Sequence, residues 1–323
     1  GGLGNDHIEG NGGSDQIMDI TWVGLAPDFG NLFTLNRQIA SSRLDISNFV
    51  AENLEVGAQG LGQAFFHGGN DNFSGGTGDD YLLGLEGNDK LDGGDGTDVL
   101  LGGSGNDTAT GGAGDDIFGG GHGNDYLLGG AGNDLLNGND DNDRLEGGAG
   151  ADILIGGGGV DTAIYDQSNA AINVNLRVGA AALETPFGSE ASGDTLQSIE
   201  NLEGSRFNDI ITGSDVANDL FGGLSNDLLD GGKGGDNLDG GVGLDTVSYA
   251  ASGAGVTVQV DDVNLHIHSR ALGGDADGDV LTSIENLAGS NFDDTLTGNS
   301  GFNLIHGNGG SDRIFGFGGI DRL

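Results

Sequence analysis

Residues 102–119 read Gly102-Gly103-Ser104-Gly105-Asn106-Asp107-Thr108-Ala109-Thr110 and then Gly111-Gly112-Ala113-Gly114-Asp115-Asp116-Ile117-Phe118-Gly119. The two lines superpose at a shift of nine, with Gly at positions one, two and four, Asp at six and an apolar residue at eight. Followed outward, the frame runs without a break from Phe66 to Ile164, eleven times, and occurs twice at 1–18, five times at 204–248 and four times at 289–323, the last one residue short. Position one is Gly in 21 of the 22 repeats and position six is Asp in 20, with Asn218 and Asn303 as the exceptions. Position eight is apolar throughout. Three registers held over eleven consecutive units mark a repeat architecture in which one unit cannot bury its single apolar residue and must stack on its neighbours.

The residue types say how. Gly at one, two and four permits left-handed backbone and close approach, and the last three residues form a short strand whose middle side chain points inward. Two nonapeptides per coil place strands and turns on opposite sides. At about 4.7–4.9 Å between stacked strands, the eleven-repeat block is expected to form five and a half coils, roughly 26 Å long. The Asp of one repeat then lies over the Asp two repeats later. Two bare carboxylates about 4 Å apart repel by roughly 4 kcal/mol at an effective dielectric near 20, so a column of them requires counter-cations. Ca²⁺, with oxygen ligands at about 2.3–2.6 Å, suits carboxylates and turn carbonyls better than Mg²⁺, which demands a small octahedron and sheds water reluctantly.

Composition supports this reading. The chain of 323 residues has 70 Gly, 2 Pro, no Cys and a formal net charge of -41. Of its 51 acids, 41 are Asp, whose short side chain suits turns and tight oxygen cages. Ten Lys and Arg in no patch exclude nucleic acid as a partner. Without Cys there is no disulfide or zinc-thiolate chemistry. No run of 18 apolar residues suggests a membrane span, and no N-terminal signal pattern is present. Both ends lie inside repeats, so the chain is expected to be cut from a longer protein.

The nonapeptide closely resembles that of the RTX (repeats-in-toxin) calcium-binding family. The resemblance implies an all-β fold, a right-handed parallel β-roll or β-solenoid with ion-free spacer coils. It also implies export in an unfolded state through a type I channel and folding at extracellular calcium. Carried over by register, the Ca²⁺ ligands are Asp6, Asp15, Asp71, Asp80, Asp89, Asp98, Asp107, Asp116, Asp125, Asp134, Asp143, Asp152, Asp161, Asp209, Asp227, Asp236, Asp245, Asp294, Asp312 and Asp321. Backbone carbonyls of the adjoining turns join them, for example Gly103, Gly105, Gly112, Gly114, Gly121, Gly123, Gly130 and Gly132. On the order of ten or more ions are expected. Asp141, Phe207, Val216, Ser225 and Phe292 replace the position-four Gly, and their turns are expected to bind weakly or not at all.

The organisation expected is a block end at 1–18, a spacer or cap at 19–65, eleven repeats at 66–164, a spacer at 165–203, five repeats at 204–248, a spacer at 249–288 and a truncated block at 289–323. The later spacers are copies of one another. Residues 161–213 and 245–298 share D-T-x-x-Y, an alternating apolar strand, G-D-x-L, S-I-E-N-L and G-S-x-F-x-D at an offset of 84 to 85. They read as wider, ion-free coils in the same solenoid. Spacer 19–65 carries the only Trp, Trp22, an apolar series and a candidate short helix from Asn36 to Asp45, and reads as a structural cap.

Sharper functions find little support. Nearly every pair of carboxylates falls in the cation register, so such pairs say nothing about acid–base catalysis. His266 and His268, two apart, read as solvated strand residues rather than a metal site. No activated Ser or G-x-S-x-G elbow occurs, and no catalytic constellation is expected. Position three, with Thr77, Glu86, Asp95, Ser104 and Ala113 in succession, is too irregular and charged for an ice-binding Thr row. Two functions from different classes remain. One is a calcium-folded extender or assembly region of a secreted or cell-surface protein, adhesin-like or surface-layer-like, meeting other surface protein copies or polysaccharide. The other is the accessory region of a type I-secreted enzyme whose catalytic domain lies outside this chain.

Overall fold

The computed structural model describes residues 69–178, 180–181, 190–260 and 269–323, with the backbone of two short strands at 54–55 and 63–64. Expectations for residues 1–18, including Asp6 and Asp15, for the cap, Trp22 and the helix at 36–45, and for His266 and His268 lie outside the described residues. The chain divides into units 1–51 and 52–323, and everything described belongs to the second.

That unit is a parallel β-solenoid. Alternate nonapeptides feed alternate sheets, so each strand pairs with the one two repeats away. Asn72–Thr77 pairs with Lys90–Asp95, and Tyr81–Glu86 pairs with Val99–Ser104. The register is 18 residues, Phe73 opposite Leu91 and Leu82 opposite Leu100. Two long sheets of 11 and 14 strands result, and a third of four strands begins at the second spacer.

Position eight supplies the core. Leu82, Leu91, Leu100, Leu127, Leu136, Leu145 and Leu154 are all buried, as are their counterparts Leu220, Leu229, Leu238 and Val247. Each such burial contributes about 1.5–3 kcal/mol. The strands of the long block are longer than the three residues expected from the frame. From Asn72 to Gly158 each spans six, positions seven through three of the next repeat. Along them the inward residues are position eight and then position one, which has no side chain. Among the described residues from Thr195 onward, strands are three residues long or shorter.

The described parts of both spacers stay in the stack. Thr195–Gln197 pairs with Ile153–Ile155, and Asn201–Glu203 pairs with Thr162–Ile164. Val280–Thr282 and Asn286–Ala288 do the same on Asn237–Asp239 and Thr246–Ser248. Each spacer also brings antiparallel pairing, Asn173–Asn175 with Ala180–Ala181 and Thr257–Gln259 with Arg270–Leu272, which a purely nonapeptide coil lacks. Their large buried side chains thicken the core, with Tyr165, Ile172, Val174 and Leu196 in the first and Tyr249, Val256, Val258 and Leu281 in the second.

Candidate metal centres in the turns

The position-six aspartates are drawn inward by the missing side chain at position one. A Cβ placed on Gly102 would strike Asp107 Oδ2 and lie 2.7 Å from the carbonyl oxygen of Gly120, one coil on. Gly75, with Asp80 Oδ2 at 2.5 Å and Gly93 O at 2.6 Å, shows the same arrangement. The glycine at position one is thus required for space, and those at two and four, such as Gly103 and Gly105, combine left-handed φ of 116° and 126° with a carbonyl of the preceding coil where a Cβ would go.

Stacked in this way, the aspartates form two ladders. Along one, Asp71, Asp89, Asp107, Asp125, Asp143 and Asp161 follow one another; along the other, Asp80, Asp98, Asp116, Asp134 and Asp152. In every step the backbone N–H of one aspartate donates to Oδ1 of the aspartate 18 residues later, at 2.7–2.8 Å. The period dictated the stacking, but this main-chain ladder is not visible in the frame. It satisfies half of each carboxylate from Asp89 to Asp161.

The other half is left over. Oδ2 of each column aspartate from Asp89 to Asp161, and of Asp227, Asp236 and Asp245, is buried and has no hydrogen-bond partner. A buried acceptor without a partner costs about 1–3 kcal/mol, more when charged. Burial pushes these carboxyls up, Asp98 and Asp116 to about 6 and Asp125, Asp143, Asp227 and Asp236 to about 7. Backbone donors oppose the rise, and ladder neighbours of the same charge reinforce it for Asp98, Asp116, Asp125, Asp143 and Asp227.

The donor set at these turns is oxygen: a carboxylate oxygen with nothing to accept, beside a glycine carbonyl of the adjacent coil. Among the described residues no three His, Cys, Asp or Glu side chains converge, so main-chain carbonyls must complete any coordination sphere. Carboxylate and carbonyl oxygen without nitrogen or sulfur is the chemistry of a hard cation, and the residues present fit Ca²⁺.

The turns with altered position four divide into two kinds. Asp141 and Ser225 hold the left-handed conformation of the glycine they replace, at φ 77° and 79°, and the aspartates of their turns, Asp143 and Asp227, keep an unpartnered Oδ2. The Phe207 and Phe292 turns differ. Ser205 N–H donates to Asp209 Oδ2 and its hydroxyl to Oδ1 at 2.7 Å; Ser290 does the same to Asp294 at 2.7 and 2.8 Å. In the Val216 turn, position six is Asn218, whose amide donates to Glu200 O and Ser214 Oγ.

Four acids that the nonapeptide frame does not reach end the ladders. Asp194 accepts from Asp152 N–H at 2.9 Å and Asp279 from Asp236 N–H at 3.0 Å, as the next column aspartate would. Glu200 and Glu285 take the N–H groups of Asp161 and Asp245. The signal was present, since Gly193-Asp194-Thr195-Leu196 and Gly278-Asp279-Val280-Leu281 reproduce the Asp-x-apolar end of the repeat. The second oxygens of Asp194 and Asp279 accept the buried hydroxyls of Tyr165 and Tyr249, at 3.0 and 2.9 Å.

A family model described as the RTX calcium-binding nonapeptide repeat (4 copies) matches residues 1–18, 67–100, 92–127, 101–136, 128–163, 212–247 and 288–323, together more than half of the chain. No curated protein matches it.

Proposed function

The chain belongs to the RTX calcium-binding nonapeptide repeat family, and we propose that it is a calcium-folded extender or assembly region of a secreted or cell-surface protein. The repeat solenoid itself is a structural calcium-binding domain. The observation that carries the reading is the pair of ladders whose buried Oδ2 atoms have no partner from Asp89 to Asp161. Asp71, Asp80, the column aspartates to Asp161, and Asp227, Asp236, Asp245, Asp312 and Asp321 would supply carboxylate oxygen, with carbonyls of the adjoining turns. Bound there, Ca²⁺ supplies the positive charge that buried, mutually repelling carboxylates otherwise lack.

A cation held only by the folded state adds about 2.7 kcal/mol per site at a hundredfold excess over Kd. Extracellular calcium modules have Kd of about 10⁻⁴–10⁻³ M. Millimolar calcium outside the cell then folds the ladders, and low cytosolic calcium leaves them open for export. Two observations favour an extender over the tail of an enzyme. Spacer and repeats recur together at about 85 residues, as an array does, and the strand pairing passes from block to spacer to block within one stack. Among the described residues no helix is long and apolar enough to cross a membrane.

Circular dichroism tests the reading. From an EGTA-treated start, β signal is expected to rise cooperatively with Ca²⁺ near the millimolar range and not with Mg²⁺. A chain with its full β signal in EGTA, unchanged by calcium, would remove the calcium columns and the function built on them.

A further inference from the structure

Resting on the calcium reading above, we propose that each spacer and the coil after it form a cation-independent segment of the solenoid, in which the protein's own donors occupy the place a calcium ion takes elsewhere. The centre of the device is an asparagine. Asn218 and Asn303 stand at position six, where 20 of 22 repeats have Asp. Each keeps the ladder, its N–H donating to Oδ1 of Asp236 or Asp321 at 2.9 and 3.1 Å.

The second side-chain atom is what differs. Against the position-one glycine, where a column aspartate directs an unpartnered Oδ2, Asn218 and Asn303 direct Oδ1, which accepts from the N–H of Ser214 or Asn299 at 2.6 and 2.9 Å, while Asn303 Nδ2 donates to Glu285 O at 2.7 Å and Asn299 Oδ1 at 3.1 Å. Asn218 Nδ2 donates in the same way to Glu200 O and to Ser214 Oγ. Both polar atoms of each asparagine side chain thus find their partners within the protein. An Asp in the same rotamer would set its own oxygen against the glutamate carbonyl, an arrangement that only a cation or a proton relieves.

Two further closures flank each asparagine. Upstream, the tyrosine hydroxyl fills the open half of Asp194 or Asp279. Between them, Ser205 or Ser290 takes both oxygens of Asp209 or Asp294. The closing residues Tyr165, Ser205 and Asn218 return as Tyr249, Ser290 and Asn303, at offsets of 84, 85 and 85. Two copies of the same three replacements, in the same order, make a local accident of sequence a poor explanation. The same coils bury side chains that a nonapeptide coil does not have, Tyr165, Ile172 and Val174 in one and Tyr249, Val256 and Val258 in the other, so they have burial to set against chain entropy without an ion.

Bound calcium, counted by native mass spectrometry on the wild-type chain and on Asp125→Asn, Asn218→Asp and Asn303→Asp, tests the assignment. Asp125→Asn is expected to lose at least one ion, and each Asn→Asp variant to gain one. Loss at Asp125 without gain at either asparagine would overturn the amide assignment alone; no loss at Asp125 would overturn the calcium columns beneath it. Hydrogen exchange of the wild-type chain in EGTA covers the case in which a variant fails to fold. Amides in 195–221 and 280–306 are expected to stay protected while those in 75–158 exchange. Equal exchange in both regions would overturn the cation-independent segment.

Discussion

Between Asn72 and Gly158 ten strands of six residues stack in near-identical coils, whereas among the described residues from Thr195 to Phe315 no strand exceeds three. The nonapeptide alone does not explain the difference. The turn at 231–236 has glycines at positions one, two and four, with left-handed φ at Gly232 and Gly234, yet the strand before it ends at Asp230. Eighteen residues earlier its neighbour is Ser214-Asp215-Val216, and on its other side lies a spacer coil. Where two like turns do meet, a remnant of the longer ladder returns as the bridge between Leu224 and Val242. Strand length is therefore a property of the stack: positions two and three pair only when the coil above or below has the same turn.

The same contrast governs charge, and acid should expose it most strongly. In the calcium-free chain the column carboxyls of Asp89, Asp98, Asp116, Asp134 and Asp152 stand near 6 and those of Asp125 and Asp143 near 7, against about 3.9 in an unfolded chain. The folded state then binds more protons than the unfolded state from about pH 4 to 7, and its stability falls as pH rises through that window. Calcium needs the ionised form. In EGTA, β content is expected to be higher at about pH 5 than at about pH 8. Once calcium has displaced those protons, folded and unfolded states bind them alike, and the fall of β content with rising pH is expected to flatten in saturating calcium. Circular dichroism across that range checks both, and the same slope in the two conditions would break the link between burial and ion demand.

A single carboxylate should separate ladder from surface. Asp125→Ala, in the middle of the long block, is expected to raise the calcium midpoint severalfold, through loss of part of a linkage worth about 2.7 kcal/mol per site at hundredfold excess. Asp219, exposed on the first residue of its strand and paired with Asn237 Nδ2, lies off the register, and Asp219→Ala should leave the midpoint nearly unchanged. Equal shifts would show that net charge, not the ladder, sets calcium dependence.

The closures predict an effect of the opposite kind. Tyr165→Phe leaves the second oxygen of Asp194 buried without its hydroxyl donor, at a cost of about 1–3 kcal/mol. Because no ion is involved, thermal unfolding should register the loss in calcium and in EGTA alike. A loss seen only in calcium would place a cation at Asp194.

Much of this was legible because the frame states its own geometry. Nine residues, one inward apolar and one Asp fix the solenoid, the 18-residue register and the two columns. What the frame does not state is where Oδ1 finds its partner, since that donor is the N–H of an aspartate two repeats away. Nor does it distinguish Asp227, whose Oδ2 is left open, from Asp209, closed by Ser205. Both are Asp at position six; the distinction lies in position two, Gly223 against Ser205, whose N–H donates to Asp209 Oδ2 and whose hydroxyl donates to Oδ1, so that local donors do what an ion does between coils. The antiparallel spacer strands were hidden for a similar reason, because their partners are other spacer residues rather than the next repeat.

The smallest expected effect concerns backbone alone. Leu85 occupies position two at φ 86°, a conformation its glycine counterparts adopt without penalty. A side chain in the left-handed region costs about 1–2 kcal/mol, while glycine gives back roughly 0.4–1 kcal/mol through the entropy of the unfolded chain. Leu85→Gly should therefore be more stable than Leu85→Ala by about 1 kcal/mol, because both lose the half-buried leucine contacts and only alanine keeps the strained Cβ. One coil on, Gly103→Ala is expected to cost considerably more, since its Cβ would run into the carbonyl of Leu85. Calcium-saturated thermal unfolding of the three variants checks the order. If Gly103→Ala were tolerated, the coils would have room between turns that the ladder of 2.7–2.8 Å bonds does not leave.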